Sequence, residues 1–267
     1  MPELAEVEVV RRNLVRWWLG SSATDVRILD ERVLSDTTPS AIEAALRQDV
    51  KELTRRGKYL FAHLADESVI VFHFRMTGKL VLADVPEPKY ARLSWLVEPS
   101  GWIVFKDQRC LGEIRLLGKE EFKEYEPLQK MGPEPADITV EDLKSACSKR
   151  RMLKSALLDQ SVVAGVGNIA ISELFWRVKL APKVRCGELS DEDWESLVQE
   201  MPLYFDEVIE KSMGDEIFYQ NEAGMENIFR VYGHAGGPCP RCGGKIEKMK
   251  VAGRVSYYCG SCQVRDL

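Results

Sequence analysis

The chain has 267 residues, of which 45% are hydrophobic and 30% are charged, a balance typical of a globular protein with one large domain or two of ordinary size. No apolar run reaches the roughly 18 residues of a membrane span and no signal peptide precedes the first charges, so we expect a cytoplasmic protein without a membrane partner. The net charge of -5 does not indicate nucleic acid, because proteins that bind it are usually basic overall.

The first predicted element is a helix from about Ala5 to Leu19, where apolar residues recur at helical spacing. The chain before it reads Met-Pro-Glu, and the usual removal of the initiator methionine leaves Pro2 with a free secondary amine, a possible nucleophile. Such an amine titrates at about pH 8, so a useful fraction is neutral at physiological pH. Carboxylates follow at Glu3 and Glu6, and each alone is equally consistent with an ordinary acid in a first helical turn.

Short apolar or alternating segments fill the rest of the first half. They are separated by turn residues and lie at 26–29, 59–64, 69–74, 93–97 and 102–105. This pattern is typical of strands in a β-sandwich or barrel. A second helix is predicted at 40–46, with Ser40 as its cap after Pro39.

Residues 126–137 hold three prolines and a glycine, which makes them the best candidate for a linker. Beyond them the hydrophobic period becomes helical. One helix opens at Thr139 with a capping-box-like start, and others are predicted at 152–159, 169–178 and 191–213. The turn at 165–168, Gly-Val-Gly-Asn, is most simply a plain connection, but a helix start beside basic residues also suits a phosphate.

Charges are distributed unevenly along the second half. Eight basic residues face two acidic ones from 147 to 185, thirteen acidic residues face one basic residue from 187 to 226, and six basic residues face two acidic ones from 239 onward. Solvated helix faces explain either basic block equally well when it is taken alone. Together, the two blocks provide local positive fields despite the acidic total.

Four of the seven cysteines form two Cys-x-x-Cys pairs separated by sixteen residues: Cys239 with Cys242, and Cys259 with Cys262. This spacing suits tetrahedral zinc, with an iron centre or a redox pair as alternatives. Because sulfur fills all four positions, such a zinc is structural and cannot activate water. Strands predicted at 246–251 and 254–258 form a hairpin that places Arg254 near its tip. The other cysteines are expected to be free thiols: Cys110, Cys147 and Cys186.

Five motifs occur in one order along the chain. They are Pro-Glu-Leu-x-Glu-Val-Glu at 2–8, Arg-Gly-Lys-Tyr-Leu at 56–60, Met-Gly-Pro-Glu-Pro at 131–135, Gly-Val-Gly-Asn at 165–168 and the four-cysteine tail. In this combination the whole chain resembles the formamidopyrimidine-DNA glycosylase and endonuclease VIII family of base-excision repair enzymes. Its opening, with Leu4, is closer to the formamidopyrimidine branch.

The resemblance implies an α+β fold with two domains. Residues 2–125 would form an N-terminal β-sandwich with flanking helices and 126–138 a linker, followed by a helix–two-turn–helix domain at 139–235 and a zinc finger at 236–267. The implied partner is duplex DNA with a damaged base or abasic site, lying across the cleft between the domains and bound by a monomer. The basic blocks would face that DNA and the acidic helix would face away, at the nucleoid of a bacterial-type cytosol.

The resemblance also implies a bifunctional DNA glycosylase and AP lyase. Pro2 would attack C1′ of the damaged nucleotide and form an iminium that permits β,δ-elimination. Glu3 would exchange a proton with the sugar ring oxygen, and Glu6 would position the amine. Lys58 would donate a proton in the lyase step and contact a phosphate, although alone it is equally an exposed strand lysine. Arg254 would serve the second elimination and grip a phosphate.

Moving a base out of the stack requires side chains that fill the gap. The resemblance assigns this role to Met76, Arg109 and Leu111, although a lone methionine is more often part of a core. The DNA-binding residues expected in the second half are Lys149, Lys154, Gly167 and Asn168.

The chain departs from the family pattern where bases are selected. Asp-Pro-Arg-Arg-Phe-Gly becomes Asp-Gln-Arg-Cys-Leu-Gly at 107–112, Lys-His-Asp-His becomes Lys-Tyr-Ala-Arg at 89–92, and the loop at 214–226 is unusually acidic. Ala5 replaces a proline, a tolerable change at a helix start. We therefore expect 8-oxoguanine to be a poor substrate, and formamidopyrimidines, oxidised pyrimidines, alkylated bases and abasic sites remain open as alternatives.

Two other functions are compatible with parts of the sequence. A non-catalytic binder of damaged or structured DNA could keep this fold, but the presence of Pro2, Glu3 and Lys58 argues against it. A zinc-ribbon regulator or nucleic-acid scaffold joined to an unrelated β-domain would need no trimmed N-terminus. The mass of the intact protein therefore separates this last possibility from amine chemistry.

Overall fold

The computed structural model describes residues 2–214 and 227–263. The chain divides into two compact units between Gln129 and Lys130, and the first unit also takes in the chain just after Lys211. Within the described ranges, no helix combines the length and the apolar character that crossing a membrane requires.

The first unit is mostly strands, and the second is mostly helices with a closing hairpin. The helices are α1 (Leu4–Trp17), α2 (Pro39–Leu46), α3 (Lys119–Lys123), α4 (Glu126–Gln129), α5 (Val140–Ala146), α6 (Leu153–Leu157), α7 (Asn168–Arg177) and α8 (Asp191–Ser212). The strands are β1 (Asp25–Ile28), β2 (Val50–Arg56), β3 (Tyr59–Leu64), β4 (Val69–His73), β5 (Gly78–Ala83), β6 (Ala91–Val97), β7 (Gly101–Asp107), β8 (Glu113–Leu117), β9 (Ile246–Val251) and β10 (Arg254–Cys259). The predicted α+β class is therefore confirmed. The elements predicted from the sequence have ends that shift by a few residues, and five further elements were not predicted: β2, β5, β8, α3 and α4.

Two antiparallel four-stranded sheets form the core of the first unit. Their strand orders are β1-β6-β7-β5 and β2-β3-β4-β8. The inner faces meet through buried aromatic rings, because the centroid of Phe72 lies 6.1 Å from that of Trp95 and 6.5 Å from that of Phe105. Each such side chain contributes about 1.5–3 kcal/mol through burial, so this aromatic layer is a main source of cohesion between the sheets.

A second hydrophobic cluster covers the outer face of the β2-β3-β4-β8 sheet. Phe61 and Val71 are buried there beneath Phe122 of α3 and Leu128 of α4. Because β4 is covered on both faces, its residues 69–72 are all buried and form a continuous apolar run instead of an alternating one. The stretch expected to be a linker thus begins with a helix that packs on the first unit.

The start of α2 differs from the sequence-based prediction. Thr38 is the N-cap, and its Oγ1 accepts a hydrogen bond from the backbone N–H of Ala41 at 3.2 Å. Pro39 occupies the first helical position, where its missing N–H costs nothing. The prediction of Ser40 as the cap is therefore wrong. The capping box predicted at Thr139 is confirmed.

In the second unit, α7 and the terminal hairpin share a hydrophobic core. Trp176 of α7 packs against a buried cluster that includes Val231 and Ile246. Glu173 of α7 is also buried, and its carboxylate accepts backbone N–H groups of Arg230, Val231 and Tyr232, each at 2.8 Å. The start of the described range 227–263 is thereby attached to α7.

Candidate functional site

The start of α1 holds the residues expected to carry the chemistry. Pro2 and Glu3 are buried, and Glu6 is half-buried. Glu3 is the N-cap of α1, and its backbone N–H donates to Oε2 of Glu6 at 2.8 Å. Desolvation raises the pKa of Glu6 above the ordinary carboxyl value, and the negative charge of Glu3 raises it further. Two carboxyl groups are thus held at the start of α1 beside Pro2.

Glu8 fixes the direction of α1 on the first unit. It forms ion pairs with Arg11 at 2.8 Å and with Arg55 of β2 at 3.4 Å, while Nη1 of Arg11 donates to the carbonyl of Leu53 at 3.3 Å. Burial by itself would raise the pKa of Glu8, but hydrogen bonds from Arg11 and Arg12 outweigh it and lower the pKa to about 2. Glu8 is therefore ionised at physiological pH, and its contacts make it structural.

These contacts also show that α1 and β2 run side by side in opposite directions, because Glu8 contacts Arg55 whereas Arg11 contacts the earlier Leu53. The start of α1 therefore lies near the end of β2. Pro2 lies just before the first residue of α1, Leu4. Lys58 lies just after the last residue of β2, Arg56, in the turn that follows it. Pro2 and Lys58 therefore lie towards the same end of the first unit.

Lys58 lies in the turn between β2 and β3 and is half-buried, so it is not a strand lysine. Gly57 precedes it with a φ of 55°, a left-handed conformation that glycine adopts without strain. Nearby, the ring of His73 stacks on Tyr59 with 4.3 Å between centroids. Burial, together with the positive charges of Arg75 and Lys58, lowers the pKa of His73 to about 3. This neutral imidazole was not predicted from the sequence, where its signal is a histidine that ends an apolar strand.

The three side chains expected to enter the DNA stack are all exposed on the first unit. Met76 is 40% exposed and Leu111 is 43% exposed, and Arg109 is exposed as well. Met76 lies in the turn after β4, and Arg109 and Leu111 lie in the loop after β7. Thr77 Oγ1 donates to a carboxylate oxygen of Asp107, so the two turns are adjacent. No role for Asp107 was predicted from the sequence.

Hydrogen bonds join the helices of the second unit to the β9–β10 hairpin next to Arg254. Arg254 is exposed at the start of β10. Lys154 is completely buried, and its Nζ donates to Oγ of Ser256 at 2.6 Å and to the carbonyl of Val255 at 3.3 Å. Nδ2 of Asn168 donates to the same carbonyl at 3.0 Å. The Lys154 side chain is thus buried against the hairpin that presents Arg254, and its contact with DNA stays a prediction.

The other two residues expected to bind DNA differ in exposure. Lys149 is exposed in the turn between α5 and α6, where its carbonyl accepts the backbone N–H of Gly187 at 2.9 Å. Gly167 is the buried N-cap of α7. Gly165 adopts a φ of 81° in the turn before it, which explains the glycine at that position.

The cysteines of the two Cys-x-x-Cys pairs converge, with all four sulfur atoms within 4.8 Å of one another. Sγ of Cys239 lies 3.9 Å from that of Cys262, and Sγ of Cys242 lies 3.6 Å from that of Cys259. A tetrahedron with Zn–S bonds of about 2.3 Å has sulfur atoms about 3.8 Å apart, so the site fits zinc. Four sulfur ligands leave no open position for water or substrate. The zinc held here is structural.

Three family descriptions match successive parts of the chain. The Formamidopyrimidine-DNA glycosylase N-terminal domain matches residues 1–114, and the Formamidopyrimidine-DNA glycosylase H2TH domain matches residues 131–218. The zinc finger found in FPG and IleRS matches residues 236–264. The last of these contains the four converging cysteines.

Full-length relatives show the same relationship. Formamidopyrimidine-DNA glycosylase of Geobacillus kaustophilus is 35% identical over 274 residues, which cover 98% of this chain and 100% of that protein. The Streptococcus mutans protein of that name is 33% identical, covering 98% and 99%. The wild-type Lactococcus lactis Fpg, solved with DNA containing an oxidized pyrimidine, gives a TM-score of 0.87 at 30% identity over 99% of this chain and 100% of that one. This chain therefore belongs to the formamidopyrimidine-DNA glycosylase family.

Proposed function

We propose that the protein is a base-excision-repair DNA glycosylase with AP lyase activity, working as a monomer on duplex DNA that contains a damaged base or an abasic site. The observation that carries the proposal is the pair Glu3 and Glu6, held beside Pro2 at the start of α1. Lactococcus lactis relatives have been solved with DNA containing Fapy-dG, an oxidized pyrimidine or an abasic site, which supports the substrate class. With chromosomal DNA as substrate, the protein would act at the nucleoid of the cytosol.

The amine of Pro2 is the proposed nucleophile once Met1 has been removed. Its nitrogen lone pair forms a bond to C1′, and the base leaves with the electrons of the glycosidic bond. Opening of the sugar ring then gives an iminium between Pro2 and C1′. Because the positive nitrogen withdraws electrons, the C2′ proton becomes acidic and the 3′ phosphate can leave by elimination.

Glu3 is the proposed proton shuttle for the sugar ring oxygen. It is buried at the N-cap of α1 and adjoins Pro2 in the chain, so it can serve the sugar that Pro2 attacks. Glu6 accepts the backbone N–H of Glu3, which supports a role in holding these two residues in place. Lys58 and Arg254 are the proposed phosphate contacts, with Lys58 as proton donor in the first elimination and Arg254 serving the second.

The variant Glu3→Gln tests the acid–base assignment. We expect base excision from duplex DNA to fall by about 10²- to 10⁴-fold, because the amide cannot exchange a proton with the ring oxygen. Cleavage at a preformed abasic site should fall much less, because that sugar already opens to an aldehyde. Single-turnover rates on the two substrates measure the difference. Glu120→Gln, at an exposed position of α3, is the matched control. Equal losses on both substrates would contradict the assignment.

The proposed lesion preference rests on the aliphatic Leu111 and on the acidic segment 214–226. Gly214 is described at the start of that segment, whereas residues 215–226 lie outside the described ranges. We expect 8-oxoguanine opposite cytosine to be excised more slowly than a formamidopyrimidine or an oxidised pyrimidine. Single-turnover excision from matched duplexes measures the order, and 8-oxoguanine as the fastest substrate would overturn this preference.

A further inference from the structure

The loop between β7 and β8, residues 107–112 and here called the wedge loop, is built around one buried carboxylate. Asp107 has no exposed surface. Its Oδ1 accepts the hydroxyl of Thr77 and the backbone N–H of Arg109, the latter at 3.1 Å. Its Oδ2 accepts the backbone N–H groups of Leu111 at 2.8 Å and Gly112 at 2.7 Å. All four partners are donors, a set that an acceptor-only carboxylate satisfies and an amide cannot.

Arg92 clamps the same loop from the neighbouring strand β6. Its Nε donates to the carbonyl of Asp107 at 2.8 Å, and its Nη1 donates to Oδ2 of Asp30 at 3.0 Å. Sγ of Cys110 lies 3.3 Å from that same Asp30 oxygen. Arg92 and Cys110 are two of the positions at which the sequence departs from the family pattern. In the structure both residues contact the same oxygen of Asp30, beside the wedge loop.

The wedge loop is also tightly packed and locally strained, so it has little freedom to rearrange. A Cβ on Gly112 would lie 2.6 Å from Cζ of Phe105. Cys110 adopts a φ of 50°, a left-handed conformation that L residues other than glycine rarely take. Such a conformation persists only where surrounding contacts hold it. Here Asp107 holds the residues on both sides of Cys110, Arg109 and Leu111, while Asp30 contacts the sulfur of Cys110 itself.

We propose that Asp107 and Arg92 are positioning residues that hold the wedge loop in the conformation from which Arg109 and Leu111 enter the DNA stack. This inference rests on the proposed function. Thr77 bonds to the same Asp107 carboxylate from the neighbouring turn. Met76, the residue before Thr77, is therefore held near the other two side chains. Because folding of the first unit has already ordered the loop, entry into the DNA does not have to order it again.

The test compares an abasic site in duplex DNA with the same site in a single strand. Only the duplex requires a side chain to fill the gap in a stack, whereas the amine chemistry is common to both. For Asp107→Asn we expect duplex cleavage to fall by roughly ten- to a hundredfold, since misplacement by about 1 Å can cost that much. Cleavage of the single strand, and borohydride trapping on that single strand, should be unchanged. Binding can be followed with a duplex that carries 2-aminopurine opposite a tetrahydrofuran abasic analogue. Wild-type protein should change the fluorescence of this duplex on binding, and Asp107→Asn should not.

Two further variants keep the inference testable if Asp107→Asn fails to fold. Thr77→Val removes one of the four donors to Asp107, so we expect a smaller loss of cleavage that is confined to the duplex substrate. Arg92→Met should have the same effect, because it removes the hydrogen bond to the carbonyl of Asp107. Asp66→Asn makes the same chemical change in the exposed β3–β4 turn, where Asp66 Oδ1 accepts the N–H of Ser68 at 2.9 Å, and should behave as wild type.

The outcomes separate this inference from the function on which it rests. Wild-type protein that cleaves neither abasic substrate would overturn the proposed function. Wild-type protein that cleaves both, with Asp107→Asn equally active on duplex, would overturn only the positioning role. Parallel losses on duplex and single strand in all three variants, Asp107→Asn, Thr77→Val and Arg92→Met, would mean that these residues merely support the fold, and would also overturn the positioning role.

Discussion

Pro2→Leu is expected to abolish the borohydride-trapped adduct between the protein and abasic-site DNA. Methionine is trimmed before small residues such as proline and is retained before leucine, so this variant keeps Met1 and moves the free amine one residue away from C1′. The buried start of α1 holds Pro2 and Glu3 in one arrangement, and an added residue cannot occupy the same place. The reaction that forms the iminium therefore loses its nucleophile.

The matched control is Pro2→Gly, which is trimmed and keeps an amine at the same position. It should still form an adduct, in lower yield, because a primary amine has replaced the secondary one. Trapping is measured by the shift of labelled DNA on a denaturing gel, and the intact mass of each variant establishes whether Met1 is present. An adduct of wild-type yield with Pro2→Leu would assign the nucleophile to another amine, such as that of Lys58.

Cys259→Ala is expected to release the zinc and to weaken binding to abasic-site duplex DNA by about an order of magnitude or more. Cys259 is completely buried and supplies one of the four sulfur ligands. Structural zinc contributes about 10–16 kcal/mol of apparent binding free energy in small zinc domains. A two-stranded hairpin alone is marginally stable in water, so loss of the metal should unfold the β9–β10 hairpin and displace Arg254.

Zinc stoichiometry by elemental analysis and DNA affinity by fluorescence anisotropy measure the two effects. Cys110→Ala is the control for zinc, because Cys110 lies far from the cysteine pairs in sequence and belongs to the other compact unit. It should retain one zinc per chain. A Cys259→Ala protein that keeps both zinc and affinity would show that the hairpin holds its structure without four sulfur ligands.

Features determined by local spacing could be predicted from the sequence. The two Cys-x-x-Cys pairs indicated the zinc site because ligands close in sequence must be close in space. The capping box at Thr139 and the hairpin presenting Arg254 likewise depend on residues a few positions apart. The cap of α2 was misplaced from Thr38 to Ser40, because a helix beginning with proline takes its cap from the residue before it.

Features that depend on what packs over a residue could not be predicted. The basic block that includes Lys154 indicates positive charge, but only the folded hairpin shows that Lys154 is buried against Val255 and Ser256. The same is true of His73, whose low pKa comes from burial together with neighbouring charges.

The sequence by itself determined the family, the zinc ligands, the α+β class and the amino-terminal residues proposed to act, because each is carried by residue type, periodicity or short spacing. Only the tertiary structure decided how the exposed residues are supported. Asp30, Thr77, Arg92 and Asp107 are scattered over almost eighty positions and meet around one loop. Hydrogen bonds between such distant positions form only when the sheets have paired in register, and no local pattern in the chain records that pairing.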